Sequence, residues 1–374
     1  MADRVHLRKP ADESRVRNLL NLIPPRLYNR LSVSYFPALA LEYGCRYHLR
    51  DGEMPPAGLP YSRSCHSLTG LGAPGADYSF LSPVYNSISK PGYRQAFPPA
   101  TLAGKLPGNV IALGGITCRN IPALWRAGFA GAALLGEFWR NVEDAADFAR
   151  ISGGILRMKR FCAGFPLQFI TCSPTKEGSI EAARKALRGG CRWIQLRMKD
   201  APESAVREAA DILADDTRAH RAVLLIDDHV GLAARVPGVD GVHLGLTDMP
   251  RPEARLLLGE DKIIGSTANT PGQAISYAPL SNYLGVGPFR HTTTKKNLAP
   301  LLGAGGIELV SHTLLSQGHC TPVVGIGGIG HNDIVTLLST GIQGLAISGA
   351  ISSAPAPSEA TSLILNEIKT YIHE

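Results

Sequence analysis

The 374-residue sequence contains no run of about 18 apolar residues, the length that a membrane-spanning helix requires. Met1 is followed by Ala2, Asp3 and Arg4 rather than by an apolar stretch, so we expect no signal peptide. The seven cysteines include no CxxC pair, which argues against a zinc site or a disulfide framework. Free cysteines persist in reducing compartments. These absences predict a cytoplasmic protein that does not enter a membrane.

Long runs of one charge are also absent. The 38 lysines and arginines exceed the 31 aspartates and glutamates by seven, but they form no basic tail and no basic face rich in aromatic residues. We therefore expect no nucleic-acid partner, because a mild positive balance suits small anionic substrates equally well. The 44% hydrophobic and 18% charged composition is typical of a folded protein and excludes general disorder.

The C-terminal half alternates short apolar runs with amphipathic, helix-like segments. Eight such alternations favour a closed parallel β/α barrel over an open sheet, and we assign this domain to residues 165–374. Strands buried on both faces are apolar throughout, as these runs are. The predicted strands are 167–172, 193–198, 222–227, 241–245, 262–267, 283–287, 322–328 and 344–348.

The N-terminal half repeats this pattern, which indicates an internal duplication. Residues 78–90 align without gaps on 283–295, and residues 110–136 align without gaps on 323–349. Two shorter matches occur in the same order along both halves. HLR at residues 6–8 matches QLR at 195–197, and HL at 48–49 matches HL at 243–244.

Only five residues precede the HLR match, so the first copy lacks a counterpart of the first strand and helix of the barrel. The fold class is thus α/β, with two tandem (β/α)8 TIM-type barrels, the N-terminal one lacking its first βα unit. We assign the truncated copy to residues 1–155, with a short linker at about 156–164. A barrel that drops one strand has two open edges, so other parts of the chain are expected to cover the gap.

Polar residues follow the predicted barrel strands, where the chemistry of β/α barrels takes place. Asp228 and Asp248 follow neighbouring strands, and hard divalent ions such as Mg²⁺ take one or two carboxylates together with phosphate oxygens. An isolated aspartate in such a loop is commonly a helix N-cap, but two of them beside several cations favour a metal site. Arg197, Lys199 and Lys295 are those cations, and together they suit a diphosphate.

A GIGGI run at 325–329 and an ISG run at 347–349 predict a phosphate site. Glycines expose backbone N–H groups, and the helices that follow present their positive N-termini. A glycine pair alone indicates only a tight turn. Barrels of this type nevertheless often bind phosphate after their seventh and eighth strands.

These motifs together resemble the thiamine phosphate synthase family over about 205 residues, the whole C-terminal half. The family motifs are an IQLRxK strand, a paired aspartate, GVHLGxxD, GPxxxTxTK and GIGGI with a serine in strand eight. In this chain they lie at 194–199, 227–228, 241–248, 287–295, 325–329 and 348. The chain departs from the family at Thr267-Ala268-Asn269, where Ser-x-His is usual, and at 289–291, which is usually more apolar.

The resemblance implies an Mg²⁺-dependent transferase that joins a hydroxymethylpyrimidine diphosphate to a thiazole phosphate. It implies Asp228 and Asp248 as metal ligands, and Arg197, Lys199 and Lys295 as the catalytic cations. The implied substrate-binding residues are Gln195, Leu196, Arg197, Met198, Lys199, Asp227, Thr267, Thr292, Thr293, Thr294, Lys295, Gly328, Ile347 and Ser348.

The N-terminal copy retains the residues of the phosphate end but not those of the metal end. Ser34-Tyr35 stand where Asp227-Asp228 stand, and Glu53 falls opposite Asp248. This half therefore resembles the thiazole tautomerase relatives of the family, with His66 as a candidate acid or base or, alternatively, a hydrogen-bonded structural histidine. Its counterparts of the phosphate residues are Ser87, Ser89, Lys90, Gly114 and Gly115, with Leu135 in place of Ser348.

Two other functions are consistent with the sequence. A phosphate-sugar isomerase on the same barrel would release no diphosphate, and Asp228, Asp248 and Lys295 together argue against it. A non-catalytic protein that sequesters a thiazole phosphate, or a thiazole tautomerase, would bind its ligand without forming thiamine phosphate. The sequence also leaves open whether the protein is a homodimer.

Overall fold

The computed structural model describes residues 3–8, 12–50, 52–140, 142–291 and 300–373. It divides the chain into two compact units. The first contains residues 1–117 and 127–147, and the second contains residues 118–126 and 148–374. No helix in the described parts of the chain is both long enough and apolar enough to cross a membrane.

The first unit contains a seven-stranded parallel sheet whose strands pair in chain order, from β1 to β7. A small apolar core, which includes Leu20, Leu31 and Leu39, packs between its first strands and helices. The strands are β1 Val5–Leu7, β2 Leu31–Val33, β3 Arg46–Leu49, β4 Tyr61–Cys65, β5 Ala76–Leu81, β6 Val110–Leu113 and β7 Gly131–Ala133. The helices before β8 are α1 Glu13–Asn21, α2 Pro37–Glu42, α3 Pro99–Leu102, α4 Ile121–Arg126, α5 Gly136–Arg140 and α6 Ala145–Gly164. Of these, α4 and most of α6 belong to the second unit.

The second unit is a closed barrel of eight parallel strands, β8 to β15, as the sequence predicts. Each predicted apolar run contains one of them. The strands are β8 Leu167–Ile170, β9 Trp193–Leu196, β10 Val223–Asp227, β11 Gly241–Leu244, β12 Ile263–Ala268, β13 Tyr283–Val286, β14 Val323–Ile326 and β15 Gly344–Ile347.

Helices surround the barrel and bury their apolar faces against it. Helix α7 (Lys176–Arg188) is a typical case: the Thr175 hydroxyl caps its start by accepting from the Gly178 N–H, and Ile180 and Ala183 lie on its buried face. The other helices are α8 Glu203–Ala219, α9 Val230–Arg235, α10 Arg251–Leu258, α11 Pro271–Tyr277, α12 Gly303–Ser316, α13 Ile334–Leu338, α14 Gly349–Ser352 and α15 Pro357–His373. Short 3₁₀ helices are found at Pro25–Arg30, Leu68–Gly70, Cys118–Asn120, Ala278–Leu280 and His331–Asp333.

An aromatic cluster fills the end of the barrel where the strands begin. Phe161 of α6 lies edge-on to Trp193, with 5.0 Å between ring centroids, and also contacts Phe165 and Tyr283. Trp193 and Tyr283 are the first residues of their strands, so this cluster lies opposite the predicted site. Residues 156–164, between the two predicted domains, therefore form part of a helix that packs under the barrel.

The duplication is visible in the strand positions. In the alignment of the two halves, β6 and β7 of the first copy match β14 and β15 of the second. In the described residues, the first unit has no counterpart of β8. The truncated tandem fold is thus confirmed, with an open sheet where the second copy closes.

Candidate active site

The predicted polar residues meet at the C-terminal ends of the barrel strands. Asp227 ends β10, Thr267 lies near the end of β12, and Ser348 directly follows β15. Three other predicted substrate contacts, Leu196, Met198 and Ile347, are at most 8% exposed and belong to the apolar core. Their side chains thus pack into the core rather than toward a ligand at this mouth.

Asp228 and Asp248 are joined by a hydrogen bond between their carboxyl groups. Burial, together with this bond to Asp248, raises the pKa of Asp228 to about 8. Burial alone would raise the pKa of Asp248. The hydrogen bonds that its carboxylate accepts from Asp228 and from the Gly245 N–H outweigh burial, so the pKa of Asp248 is lowered. Two carboxyl groups this close share a proton, because both cannot be ionised without a cation.

The carboxyl pair fits a magnesium ion that arrives with a phosphorylated substrate. In the described part of the chain, no group of three or more His, Cys, Asp or Glu side chains could hold a metal alone. Mg²⁺ does not need such a cage, since it usually binds one or two carboxylates and completes its shell with waters and phosphate oxygens. A divalent ion would replace the proton that Asp228 and Asp248 share.

Two cations lie beside these carboxylates. The Arg197 Nε atom is 3.4 Å from Asp227 Oδ2. The charge of Lys199 favours the ionised forms of Asp227, Asp228 and Asp248 and so opposes the effect of burial on their pKa values. Burial nevertheless raises the pKa of Asp227 to about 6. The Thr171 hydroxyl accepts from the Arg197 N–H at 2.9 Å and donates to the Arg197 carbonyl at 3.1 Å, which fixes the backbone where the arginine leaves its strand.

A row of hydrogen-bonded side chains crosses the barrel interior below the mouth. The order of donors and acceptors along the row is set at Asp227, whose carboxylate can only accept and does so from Gln195 Nε2 at 2.6 Å. The Gln195 Oε1 atom must then accept from Gln168 Nε2, at 2.9 Å. The full row is Asp227, Gln195, Gln168, Tyr283, His243 and Thr267.

The second half of this row fixes the tautomer of a buried histidine. Gln168 Nε2 donates to the Tyr283 hydroxyl at 3.0 Å, and burial raises the pKa of Tyr283, so its proton stays in place. That proton goes to His243 Nδ1, 2.8 Å away. His243 Nε2 then carries the ring proton and donates to Thr267 Oγ1 at 2.9 Å. The Thr267 hydroxyl is thereby left as a donor toward the mouth.

Three members of this row, Gln168, Tyr283 and His243, were not among the predicted functional residues. The sequence feature that could have identified them is the single polar side chain in each of three otherwise apolar strands. Arg251 was also missed: its buried guanidinium donates to the carbonyls of Leu244 and Gly245 and so holds the loop that carries Asp248.

The predicted phosphate turn lies across the mouth from the carboxylates. Gly327 and Gly328 have φ angles of 98° and 67°, a left-handed conformation that glycine adopts without strain. Arg290 forms two hydrogen-bonded ion-pair contacts with Asp333, at 2.6 and 2.7 Å, and Asp333 also accepts from the Gly330 N–H. This pairing ties the loop after β13 to the turn after β14.

The hydroxyl of Ser348 donates to the Ile170 carbonyl at 2.7 Å, which commits its proton to the barrel wall. Its backbone N–H, rather than its hydroxyl, is the group suited to an anion at this position. Thr292, Thr293, Thr294 and Lys295, which the sequence also assigns to this part of the mouth, lie outside the described residues.

Comparisons with known proteins match this barrel. The family model described as thiamine monophosphate synthase matches residues 167–351. The thiamine-phosphate synthase of Bacteroides fragilis is 50% identical over 201 residues, which are 54% of this chain and 98% of that protein. That of Bacteroides thetaiotaomicron is 49% identical over 201 residues, 54% of this chain and 96% of that protein. The solved thiamine phosphate pyrophosphorylase of Pyrococcus furiosus is 29% identical with a TM-score of 0.49, covering 56% of this chain and 98% of its own.

The family match begins at residue 167, so the seven-stranded unit lies outside it. Half of the aligned positions are identical to the Bacteroides fragilis protein, and almost the whole of that protein is covered. Through its C-terminal barrel, this chain belongs to the thiamine-phosphate synthase family of enzymes.

Proposed function

We propose that the C-terminal barrel joins a hydroxymethylpyrimidine diphosphate to a thiazole phosphate, giving thiamine phosphate and diphosphate. The observation that carries this proposal is the Asp228–Asp248 pair beside Arg197 and Lys199, across the mouth from the glycine turn. One side of the mouth suits a metal-bound diphosphate and the other suits a phosphate monoester. The names of the family relatives support the same reaction.

The diphosphate leaves with the electron pair of the carbon–oxygen bond. A magnesium ion held by Asp228 and Asp248 would neutralise part of the charge on this leaving group. Arg197 and Lys199 donate charge-assisted hydrogen bonds to its oxygens, and we assign the same role to Lys295. The Arg197–Asp227 contact orients the guanidinium before the substrate binds.

The methylene carbon becomes electron-poor as the diphosphate departs, and the pyrimidine ring spreads this positive charge. Gln195 and Asp227 orient the pyrimidine, and the ionised carboxylate of Asp227 stabilises the positive charge. The Thr267 hydroxyl, directed by His243, provides a further donor. The lone pair of the thiazole nitrogen then forms the new carbon–nitrogen bond, and no proton needs to be removed from that nitrogen.

The thiazole phosphate is held by backbone N–H groups at Gly328, Ile347 and Ser348. Holding both substrates in line converts a reaction between two molecules into a step within one complex, which is a large part of catalysis. We also propose a cytoplasmic location, which the seven cysteines support, since none of them forms a disulfide in the described residues.

The test is to incubate the full chain with both substrates and Mg²⁺, and to measure thiamine phosphate and diphosphate together. We expect the two products in equal amounts and, for Asp228→Ala, a fall in turnover of about a hundredfold or more, the usual cost of losing a charge-stabilising group. Asp211→Ala, which changes an exposed aspartate of α8, is the matched control and should retain wild-type turnover. A folded wild-type protein that forms no thiamine phosphate under these conditions would contradict the proposal.

A further inference from the structure

A surface pocket opens at the end of the barrel where the strands begin, opposite the candidate active site. Its volume is about 400 Å³, which lies within the range of small-molecule sites. Arg192 directly precedes β9, and Arg221 lies two residues before β10. Four of the described residues that line the pocket are basic or histidine, namely Arg160, Arg192, His220 and Arg221, and the others are alanine and glycine. The pocket is therefore cationic.

Arg221 occupies a backbone position at which helices most often have glycine. Helix α8 ends in a Schellman motif, in which the Arg221 N–H donates to the Arg218 carbonyl at 3.1 Å. The Ala222 N–H donates to the Thr217 carbonyl at 2.8 Å and completes the motif. This geometry gives Arg221 a φ of 53°, in the left-handed region that disfavours residues with a Cβ atom.

The same motif closes two other helices of the barrel, and there the position is glycine. Gly190, after α7, donates to the Leu187 carbonyl and has a φ of 98°. Gly318, after α12, donates to the Leu315 carbonyl and has a φ of 82°. Glycine would avoid the steric penalty at the end of α8 as well. An arginine at this position thus lowers stability, which favours a role for its side chain.

The carboxylates near this pocket are already paired. Asp240, which binds Arg160 at 2.9 Å, is 3% exposed and is shared with a second arginine of α6. Asp216, in the last turn of α8, is paired with an arginine of α7 at 2.8 Å. Within the described residues, no carboxylate lies at ion-pair distance from Arg192 or Arg221. Their charges are therefore available to an anion.

Helix dipoles explain part of this cluster but not all of it. Cations are stabilised at helix C-termini, and Arg192 Nη1 donates to the carbonyls of Leu187 and Cys191 at the end of α7. The Nε and Nη2 groups of Arg192 remain as donors. Arg221 makes no side-chain hydrogen bond to a carbonyl in the described part of the chain. The dipole of α8 alone thus gives no reason for an arginine in the left-handed position.

His220 adds a hydrogen-bond acceptor to the pocket. Its Nδ1 atom lies 2.8 Å from the Asp216 carbonyl, which can only accept, so Nδ1 carries the ring proton. The Nε2 atom can then accept from a hydroxyl group of a ligand. A molecule that combines a phosphate with a nearby hydroxyl would satisfy both the arginines and the histidine.

We propose that this pocket binds a small hydroxylated phosphate ester. Its phosphate is held by Arg160, Arg192 and Arg221, since guanidinium groups form paired N–H···O bonds with phosphate oxygens. Its hydroxyl is held by His220 Nε2. The arginines supply the positive charge, so the site requires no metal. It lies at the other end of the barrel from the paired aspartates and does not depend on the proposed function.

The test is calorimetric titration of glycerol 3-phosphate into the full chain in EDTA. Arg221→Asn removes the charge with a residue that tolerates left-handed backbone, so the protein should remain folded. We expect it to weaken binding about tenfold, the size of one charge-assisted hydrogen bond. Arg221→Lys keeps the charge and should recover most of the affinity. Arg207→Asn, at a 68%-exposed side chain of α8, is the matched control and should change nothing.

Two further measurements assign the ligand to this pocket. His220→Phe should weaken glycerol 3-phosphate but not methyl phosphate, which has no free hydroxyl, and equal losses would overturn the role of His220. Arg221→Asn should leave the turnover of the barrel unchanged, because the pocket is remote from the mouth. Equal affinity in the wild type and Arg221→Asn would overturn the inference and leave the proposed function untouched. The binding measurements need no turnover, so they also stand if the proposed function fails.

Discussion

The two copies of the fold have the same backbone conformation at several aligned positions but carry different side chains there. Tyr35 has a φ of 72° where Asp228 has 66°, and the two residues align with each other just beyond β2 and β10. An unusual left-handed conformation has thus been retained although the side chain that binds the proposed metal has been replaced. The comparison shows that the backbone of such a mouth permits several chemistries, and that individual side chains select among them.

The copies also differ in how much helix covers their strands. Helix α12, between β13 and β14 of the barrel, has 14 residues, whereas α3, between β5 and β6, has four. Long helices bury the outer faces of parallel strands, and the barrel core is correspondingly larger.

The largest effect should come from the helix that closes the base of the barrel. Phe161→Ala should destabilise the barrel by about 3–5 kcal/mol, the usual cost of emptying a fully buried aromatic position. Chemical denaturation with pulsed hydrogen exchange would show which unit unfolds earlier. Leu156→Ala, at a 41%-exposed position of the same helix, should change stability by less than about 0.5 kcal/mol. Equal losses in both units would contradict the assignment of this helix to the barrel.

The two glycine turns allow a direct comparison of the units. Gly328→Ala should lower kcat/KM for the thiazole phosphate by about a hundredfold, because the left-handed backbone and the His291 carbonyl both oppose a Cβ atom there. Gly115→Ala makes the same change in the other copy and should leave kcat/KM unchanged. Steady-state kinetics of both variants would decide, and a similar loss in each would contradict the assignment of the thiazole phosphate to the barrel turn alone.

A smaller effect is expected from the buried hydrogen-bonded row. Tyr283→Phe removes the donor that fixes the His243 tautomer, so we expect kcat to fall about tenfold with little change in KM for the thiazole phosphate. The chemical shifts of the His243 ring nitrogens should change in parallel. Tyr78→Phe changes the aligned tyrosine, which binds His6 at 2.8 Å, and should leave kcat unaltered. Unchanged nitrogen shifts in Tyr283→Phe would rule out this positioning role.

The two units should also respond to pH in opposite directions. His6 and His48 have folded pKa values below their ordinary 6.5, so unfolding binds protons and the first unit loses stability as pH falls from about 6.5 toward 3. Asp227 and Asp228 have raised folded pKa values, so the magnesium-free barrel loses stability as pH rises from about 4 to 8. Urea midpoints of each unit, read by pulsed exchange at a common labelling pH, would show both trends. Parallel trends would contradict the burial of these groups.

Much of this architecture could be predicted from local pattern. Each barrel strand is a short apolar run, because a strand buried on both faces requires apolar residues at every position. The aligned GGI motifs are sufficient to locate both glycine turns, because only glycine adopts φ angles near 66° and 96° readily. The paired aspartates were found because their strands are neighbours in chain order.

Periodicity and order along the chain are thus enough to predict the eight-stranded barrel, its truncated copy and the strand ends at which the candidate site lies. They do not predict that α6 packs under the barrel, that Ser348 donates to Ile170, or that Gln168, Tyr283 and His243 form one row with Thr267. The contacts of Gln168 with Tyr283, of Tyr283 with His243 and of Ser348 with Ile170 join strands that are far apart in the chain. Their partners depend on barrel closure and strand register, which the local pattern of a single sequence does not encode.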